Sequence, residues 1–196
     1  NSQVKWIRTT FDGAIAPGPK NFDFNIQQYS ITEERAKVVD FSSAYYKSNQ
    51  SIVSFKGRNI EGVTSIAELQ AKNPKLGAAV ASTSLDAIEN QLGLKPQVFN
   101  DNAAAVAALK NGQIDGLVVD LPTAFYLSAV EVPKGIIVGQ LENSAENDGG
   151  AGLLLAKDSP ITKCVTQAVD AIRDNGTLAA ITEQWLAASA GAPILK

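Results

Sequence analysis

The chain of 196 residues contains no histidine, no methionine and a single cysteine, Cys164. A Ser-His-Asp triad, a Cys-His pair, a histidine-ligated haem and every Cys/His zinc site need residues that this sequence lacks. These absences exclude most familiar hydrolase chemistry. No metal-ligand spacing and no glycine-rich phosphate loop occurs either, so we expect no metal site and no cofactor. One cysteine cannot form an internal disulfide, and its position in an apolar-periodic stretch predicts a buried thiol.

An excess of positive charge is also lacking, because the chain has 17 lysines and arginines against 20 acidic residues, a formal net charge of -3 at pH 7. The lysines and arginines form no cluster in the sequence. A surface without such a cluster has no electrostatic attraction for a polyanion, so we expect no nucleic-acid partner. No apolar run approaches the roughly 18 residues that span a bilayer. The first residues do not show the basic-then-apolar pattern of a signal peptide.

Strand-like and helix-like patterns alternate along the chain, which predicts an α/β protein with largely parallel sheets. The predicted strands are Val4–Thr9, Phe22–Gln28, Ile52–Phe55, Leu76–Ala81, Val98–Phe99, Ile114–Val119 and Gly152–Ala156. The predicted helices are Phe11–Ala16, a short helix capped by Thr32 or Ser30, Ser65–Lys72, Leu85–Leu92, Ala103–Lys110, one starting at Pro122, Ile161–Asp174 and Thr177–Ala188.

Arg35 follows the capped turn and is a candidate for ligand binding. A guanidinium at this place can hold a carboxylate through two parallel hydrogen bonds. The same position also suits a solvated helix arginine that pairs with Glu34 for little gain. The spacing leaves both interpretations open.

The segment Ser82-Thr83-Ser84 places hydroxyls before a predicted helix, where they can either bind an anion or cap the helix. Asp120 ends an apolar strand, where its carboxylate can either receive an ammonium group or form a turn or helix cap. One cation, one set of hydroxyl donors and one anion together would suit a zwitterion of the α-amino acid type.

At SITEERAKVVDFSSAYY, residues 30–46, the sequence resembles the polar amino-acid-binding proteins of bacterial ABC importers, which are family 3 extracellular solute-binding proteins of the type II periplasmic-binding-protein superfamily. Four further segments resemble the family in the same order. They are LGAAVASTSLDAIENQLG (76–93), LKNGQIDGLVVDLPTA (109–124), GAGLLLAKDSPITKCVTQAVDAI (150–172) and DNGTLAAITEQWL (174–186).

The resemblance implies a two-lobed type II periplasmic-binding-protein-like fold. Each lobe would be a mostly parallel sheet flanked by helices, with crossing hinge strands joining the lobes and the ligand held between them. Residues 1–47 and 148–196 would form lobe 1, and 48–147 would form lobe 2. Relatives begin with a further strand and helix upstream of Val4, so lobe 1 would lack its N-terminal part.

The resemblance also implies the ligand-binding residues. The arginine that grips the α-carboxylate falls on Arg35, with help from Ser30 and Thr83, and the aspartate that takes the α-ammonium falls on Asp120. The other implied contacts are Gln27 and Gln28 at the ammonium or the side chain, Phe11 as an apolar wall, and Ser84 beside the hydroxyl turn.

The implied function is capture of a polar L-amino acid of the glutamine, glutamate or cystine class and its presentation to a membrane ABC permease. Such a protein performs no chemistry, so the resemblance implies no catalytic residues. The implied location is periplasmic or extracellular, and a lipoprotein anchored to the membrane is one form in which such proteins occur. We expect a monomer unless another chain supplies an N-terminal segment. Two alternatives stay open, an enzyme of the cyclohexadienyl dehydratase type on the same scaffold, and an interaction module without a ligand.

Overall fold

The computed structural model describes residues 3–143, 149–186 and 192–196. The chain divides into unit 1, which comprises Asn1–Lys47 and Glu146–Ala180, and unit 2, which comprises Ser48–Ala145 and Ile181–Lys196. The boundary predicted between residues 147 and 148 lies outside the described residues. No described helix has the length and apolar composition of a membrane-spanning helix.

Strands and helices alternate, as the sequence predicts, and the α/β class is confirmed. The elements in chain order are α1 Phe11–Ile15, β1 Asn25–Ser30, α2 Glu33–Ala36, β2 Val39–Tyr46, β3 Gln50–Phe55, α3 Ile66–Lys72, β4 Leu76–Ala79, α4 Thr83–Asp86, β5 Gln97–Phe99, α5 Asn102–Lys110, β6 Gly116–Asp120, α6 Leu121–Tyr126, β7 Gly135–Leu141, β8 Ala151–Ala156, α7 Thr162–Asp174 and α8 Thr177–Leu186. Single π-helical segments, Ala87–Gln91 and Leu127–Glu131, extend α4 and α6.

Short polar side chains fix where several helices begin. The hydroxyl of Thr32 accepts a hydrogen bond from the backbone N–H of Arg35, which confirms Thr32 as the cap of α2. Ser65 caps α3 and Asp101 caps α5 in the same way. Each cap satisfies one of the N–H groups that a helix start leaves without an intrahelical partner. These local bonds explain why the predicted helix starts agree with the structure within about two residues.

Unit 1 contains a three-stranded sheet in the order β1-β8-β2. Both β1 and β2 run antiparallel to β8, which lies between them. This pairing differs from the mostly parallel sheet that we expected for lobe 1. Alternation of strands and helices along the chain does not define which strands become neighbours in a sheet. Here β8, which is far from β1 and β2 in the sequence, lies between them. The core of the unit contains Tyr29, Val39 and Leu154.

Helix α7 packs against β2 with a narrow apolar stripe. Val169 is buried on this stripe and Val165 is half-buried, one helical turn earlier. Cys164 lies next to the stripe and is exposed, so the prediction of a buried thiol is wrong. The apolar periodicity identified the helix correctly, but one residue corresponds to about 100° of rotation, which is enough to turn a side chain away from the core.

Unit 2 contains a five-stranded sheet in the order β5-β4-β6-β3-β7. Strand β4 runs parallel to β5 and to β6, whereas β3 runs antiparallel to β6 and to β7. Two buried apolar clusters form the core. One includes Ile52, Leu76 and Val118, and the other includes Val53 and Leu117. Successive residues of one strand join different clusters because side chains alternate between the two faces of a sheet.

The C-terminal residues 192–196 belong to unit 2 and not to lobe 1, where the sequence analysis had assigned them. The backbone N–H of Leu195 donates to the carbonyl of Gln140 on β7 at 2.9 Å, and the N–H of Gln140 donates to the carbonyl of Pro193 at 2.7 Å. Leu195 is 3% exposed and joins the core of this unit. The C-terminal segment belongs to unit 2 because it forms hydrogen bonds with the edge of β7. Sequence patterns do not show which segment pairs with a strand edge.

One strand prediction is wrong, and two strands of the structure were not predicted. Residues 4–9 do not form a strand, and Val4 and Trp6 are 73% and 82% exposed. Strands β2 and β7 are not indicated by the patterns above. Their sequences place serines, tyrosines and glycines inside the strands, and such residues weaken the alternation by which a strand is recognised.

Leu195 tests the role of the C-terminal segment. A Cβ atom on Gly139 would lie 2.6 Å from Leu195 Cγ, so the leucine fills the space that this glycine leaves. We expect Leu195→Ala to lower the free energy of unfolding by about 2–5 kcal/mol, the usual cost of such a core truncation. Ile194→Ala is the matched control, since Ile194 is 41% exposed. Equal unfolding midpoints for both variants in urea would contradict the assignment.

Candidate functional site

Arg35 is 8% exposed, so the interpretation as a solvated helix arginine is wrong. Its Nη1 donates to the backbone carbonyl of Ser30 at 2.9 Å. Its Cζ lies 5.8 Å from the centre of the Phe11 ring, within the range of a cation–π contact. Burial of a charge is costly unless polar and aromatic groups compensate it. The structure therefore brings together three of the predicted residues, Arg35, Ser30 and Phe11.

Tyr29 supports this group from inside unit 1. It is fully buried and stacks on Phe11 with ring centroids 4.3 Å apart and an interplanar angle of 18°. Its hydroxyl donates to the carbonyl oxygen of Phe11 at 3.0 Å. Burial raises the pKa of Tyr29 above its ordinary value, so the phenol keeps its proton and remains a donor at neutral pH. Tyr29 thus fixes both the ring and the backbone of Phe11.

Gln27 is joined to the same network through its side-chain oxygen. Gln27 Oε1 lies 3.1 Å from Asn25 Nδ2 and 3.1 Å from the Tyr29 hydroxyl. The residue is exposed, although its carboxamide is held by these buried neighbours. Such an anchored amide can offer hydrogen bonds to a solute with little loss of conformational freedom.

Gln28 has a left-handed backbone conformation, with φ of 58°. It lies where the register of β1 with β8 shifts between Asn25 and Tyr29. Its N–H donates to the hydroxyl of Tyr45 at 3.1 Å. An irregularity of this kind redirects the side chains of a strand, and a non-glycine residue in this conformation is strained. In unit 1 the backbone of β1 is therefore distorted at the predicted ligand-binding residues.

Asp120 ends β6 in unit 2 and contacts Gln50. The Nε2 group of Gln50 donates to Asp120 Oδ1 at 2.7 Å. Although Asp120 stands immediately before α6, its side chain forms no capping hydrogen bond there. The alternative interpretation as a helix cap is therefore wrong, and a buried amide orients this carboxylate instead.

The hydroxyl segment of unit 2 divides into a cap and two buried groups. Ser82 caps α4 by accepting from the N–H of Leu85 at 3.2 Å. Thr83 and Ser84 are 6% and 5% exposed, and both contact the side chain of Gln50. The structure thus brings together three of the predicted residues, Asp120, Thr83 and Ser84, around a residue that the sequence analysis did not select.

Gln50 and Tyr29 are the two functional candidates that sequence reasoning missed. In the β3–β6 register Gln50 lies directly opposite Asp120, although 70 positions separate them along the chain. A glutamine at a strand start carries no signal for such a pairing. For Tyr29 the only signal was its position directly after the predicted strand Phe22–Gln28, between Gln28 and Ser30.

Each unit, taken by itself, contains a charged side chain that could bind a ligand group of opposite charge. In the described part of the chain no three Cys, Asp or Glu side chains converge as a metal site would require. Unit 1 contains a buried cation, Arg35. Unit 2 contains an anion, Asp120, which Gln50 links to two buried hydroxyls. These are the groups that would complement a carboxylate and an ammonium group.

Comparison with known proteins gives a consistent result. The family described as "Bacterial extracellular solute-binding proteins, family 3" matches residues 1–188. The chain is 29% identical over 180 residues to a probable histidine-binding protein of Campylobacter jejuni, covering 89% of the chain and 66% of that relative. It is 28% identical over 182 residues to the L-cystine-binding protein TcyJ of Escherichia coli, covering 92% and 66%. The chain thus spans just under two thirds of these relatives.

A solved structure supports the fold. The ancestral amino acid-binding protein AncCDT-1, a precursor of cyclohexadienyl dehydratase, superposes with a TM-score of 0.76 at 28% identity, over 93% of this chain and 77% of that one. The similar solved structures are type II periplasmic binding proteins, and the expected fold class is therefore confirmed.

Tyr29 also predicts a pH dependence. Because burial raises its pKa, the folded state keeps a proton that the unfolded chain releases above about pH 10, so the free energy of unfolding falls as pH rises through that range. We expect Tyr29→Phe to flatten this fall in thermal unfolding measured from about pH 8 to 11. Parallel profiles for wild type and Tyr29→Phe would refute the prediction.

Proposed function

We propose an amino-acid-binding role for this chain, which belongs to family 3 of the bacterial extracellular solute-binding proteins. In this proposal Arg35 binds the α-carboxylate of an L-amino acid, and Asp120 binds its α-ammonium group. The protein then delivers the amino acid to a membrane ABC permease. It acts outside the cytoplasmic membrane, as the family name implies. A lipid anchor and the monomeric state stay predictions.

The observation that carries the proposal is the burial of Arg35 against a backbone carbonyl and an aromatic ring. Ser30 and Phe11 contact the guanidinium and help to orient it. An oriented and poorly hydrated cation of this kind suits a carboxylate, which can accept two parallel hydrogen bonds from it. The second support is the Asp120 carboxylate, which receives a hydrogen bond from Gln50, a residue that also contacts the buried hydroxyls of Thr83 and Ser84.

The side-chain preference is the finer part of the proposal. Gln27 and Gln28 favour a polar ligand such as glutamine, glutamate or cystine, because their carboxamides can exchange hydrogen bonds with a polar side chain and not with an apolar one. The relatives are named for histidine and for L-cystine, both of which have polar or polarizable side chains. All these amino acids share the backbone charges that Arg35 and Asp120 would recognise.

We further propose that units 1 and 2 act as two lobes, each contributing one of the two charges. The mechanism needs no covalent chemistry, because exclusion of water strengthens the charge pairs as the amino acid binds. Dissociation constants in the micromolar range correspond to about 8 kcal/mol. Such an affinity retains a scarce solute and still permits its release.

An enzyme on this scaffold is the second candidate, since AncCDT-1 is described as a precursor of cyclohexadienyl dehydratase. The family and the relatives reported above are named for binding, which favours the first candidate. Incubation with arogenate or prephenate separates the two, because formation of an aromatic product would show dehydratase activity.

A thermal-shift screen of the purified protein against the twenty amino acids and L-cystine tests the binding role. An amino acid at 100 times its dissociation constant adds about 2.7 kcal/mol to the free energy of unfolding, which shifts the midpoint clearly. We expect polar L-amino acids to shift it and their D-enantiomers to shift it less. No shift with any of these compounds would refute the proposal and favour an interaction module without a ligand.

Charge removal tests the assigned contacts. We expect Arg35→Ala and Asp120→Asn each to weaken binding of the selected amino acid by about 30-fold or more in calorimetry, because loss of one partner leaves the other charge desolvated and unpaired. Arg173→Ala is the control, since Arg173 has a side chain 44% exposed and forms a surface ion pair with Asp170. Normal affinity in both site variants would overturn the assignment.

A further inference from the structure

Gln50 is a buried polar residue in the sheet of unit 2. It is the first residue of β3 and is 4% exposed. A carboxamide in such a place costs free energy unless its donors and its acceptor find partners. In the β3–β6 register its partner residue is Asp120.

The side chain of Gln50 contacts three of the predicted ligand-binding residues at once. Its Nε2 lies 2.7 Å from Asp120 Oδ1 and 3.4 Å from Thr83 Oγ1, and its Oε1 lies 2.5 Å from Ser84 Oγ. The contact with Thr83 is the weakest by distance. The contacts with Asp120 and Ser84 are short and therefore dominate the orientation of the carboxamide.

The chemistry of the partners determines which way the carboxamide points. An ionised carboxylate can only accept hydrogen bonds, so the NH₂ group of Gln50 must face Asp120. The amide oxygen then faces Ser84, and the hydroxyl of Ser84 donates its single proton to Gln50. Ser84 is thereby assigned to the glutamine, rather than to a ligand carboxylate that would need the same proton.

We propose that Gln50 is a positioning residue of the amino-acid site, which holds the Asp120 carboxylate in the direction that receives the α-ammonium group and is itself held by Ser84. This inference rests on the proposed function of Asp120. Its new content is a chain of dependence, from Ser84 to Gln50 to Asp120, in which only the last residue touches the bound amino acid.

The replacement Gln50→Leu removes both hydrogen-bonding groups while keeping an apolar side chain of similar length. Asp120 then loses the donor that orients it. We expect binding of L-glutamine and L-cystine to weaken by about 10-fold, the scale of one hydrogen bond to a charged group. Ser54→Ala is the matched control. Ser54 is fully buried on the same strand and donates to the carbonyl of Asp115 at 2.6 Å, away from Asp120.

A double-mutant cycle separates positioning from a purely structural role. If Gln50 acts through Asp120, Gln50→Leu should cost about 10-fold in the wild-type background and less than about 3-fold in Asp120→Asn, because the charge that it orients is already gone. A structural role would give the same loss in both backgrounds. Calorimetry with L-glutamine or L-cystine, whichever binds the wild type more tightly, measures the four affinities, and thermal unfolding monitors folding.

Ser84→Ala provides a second route if Gln50→Leu does not fold. It leaves Gln50 in place, removes the donor to its oxygen, and should weaken binding in the wild type by about 3-fold or more but have little effect in Asp120→Asn. If the wild type binds an amino acid and these variants show equal losses in both backgrounds, or no loss, only the role of Gln50 is overturned. If the wild type binds none of the twenty amino acids and no L-cystine, the proposed function and the role of Gln50 both fail.

Discussion

A polar group that leaves water must find a partner, and both candidate clusters are organised by this constraint. In unit 1 the guanidinium of Arg35 is buried, and the backbone carbonyl of Ser30 and the face of Phe11 compensate it. In unit 2 the carboxamide of Gln50 is buried, and Asp120 and Ser84 satisfy it. In each unit one buried polar side chain therefore sets the geometry of its neighbours.

The two clusters differ in how they achieve rigidity. The cluster of unit 1 relies on aromatic packing and on a distorted strand, where the stacked rings of Phe11 and Tyr29 lie beside the left-handed residue Gln28. The cluster of unit 2 relies on hydrogen bonds between side chains of β3, β6 and the start of α4. A charged group that is already oriented costs a ligand less entropy on binding. This is the property that a binding protein of this family would need.

Local interactions account for the part of the fold that was predictable. Thr32 and Ser82 cap their helices through contacts that span three residues, so sequence spacing is sufficient to place them. Strand β2 and the position of Leu195 depend on partners more than 50 residues away, and the patterns did not reveal them. The prediction that the Cys164 thiol is buried failed for a different reason. Periodicity locates a helix in the sequence, but it defines less well which side chains of that helix face the core.

The sequence by itself determined the α/β class, the helix caps, the exclusion of histidine chemistry and, through its resemblance to a family, the identity of Arg35 and Asp120 as candidates. Tertiary structure alone decided that Arg35 is buried, that β8 lies antiparallel between β1 and β2, and that Gln50 lies opposite Asp120. The physical reason is the range of the interactions. Composition, capping and periodicity act within a few residues, whereas burial and strand register arise only when distant segments pack together.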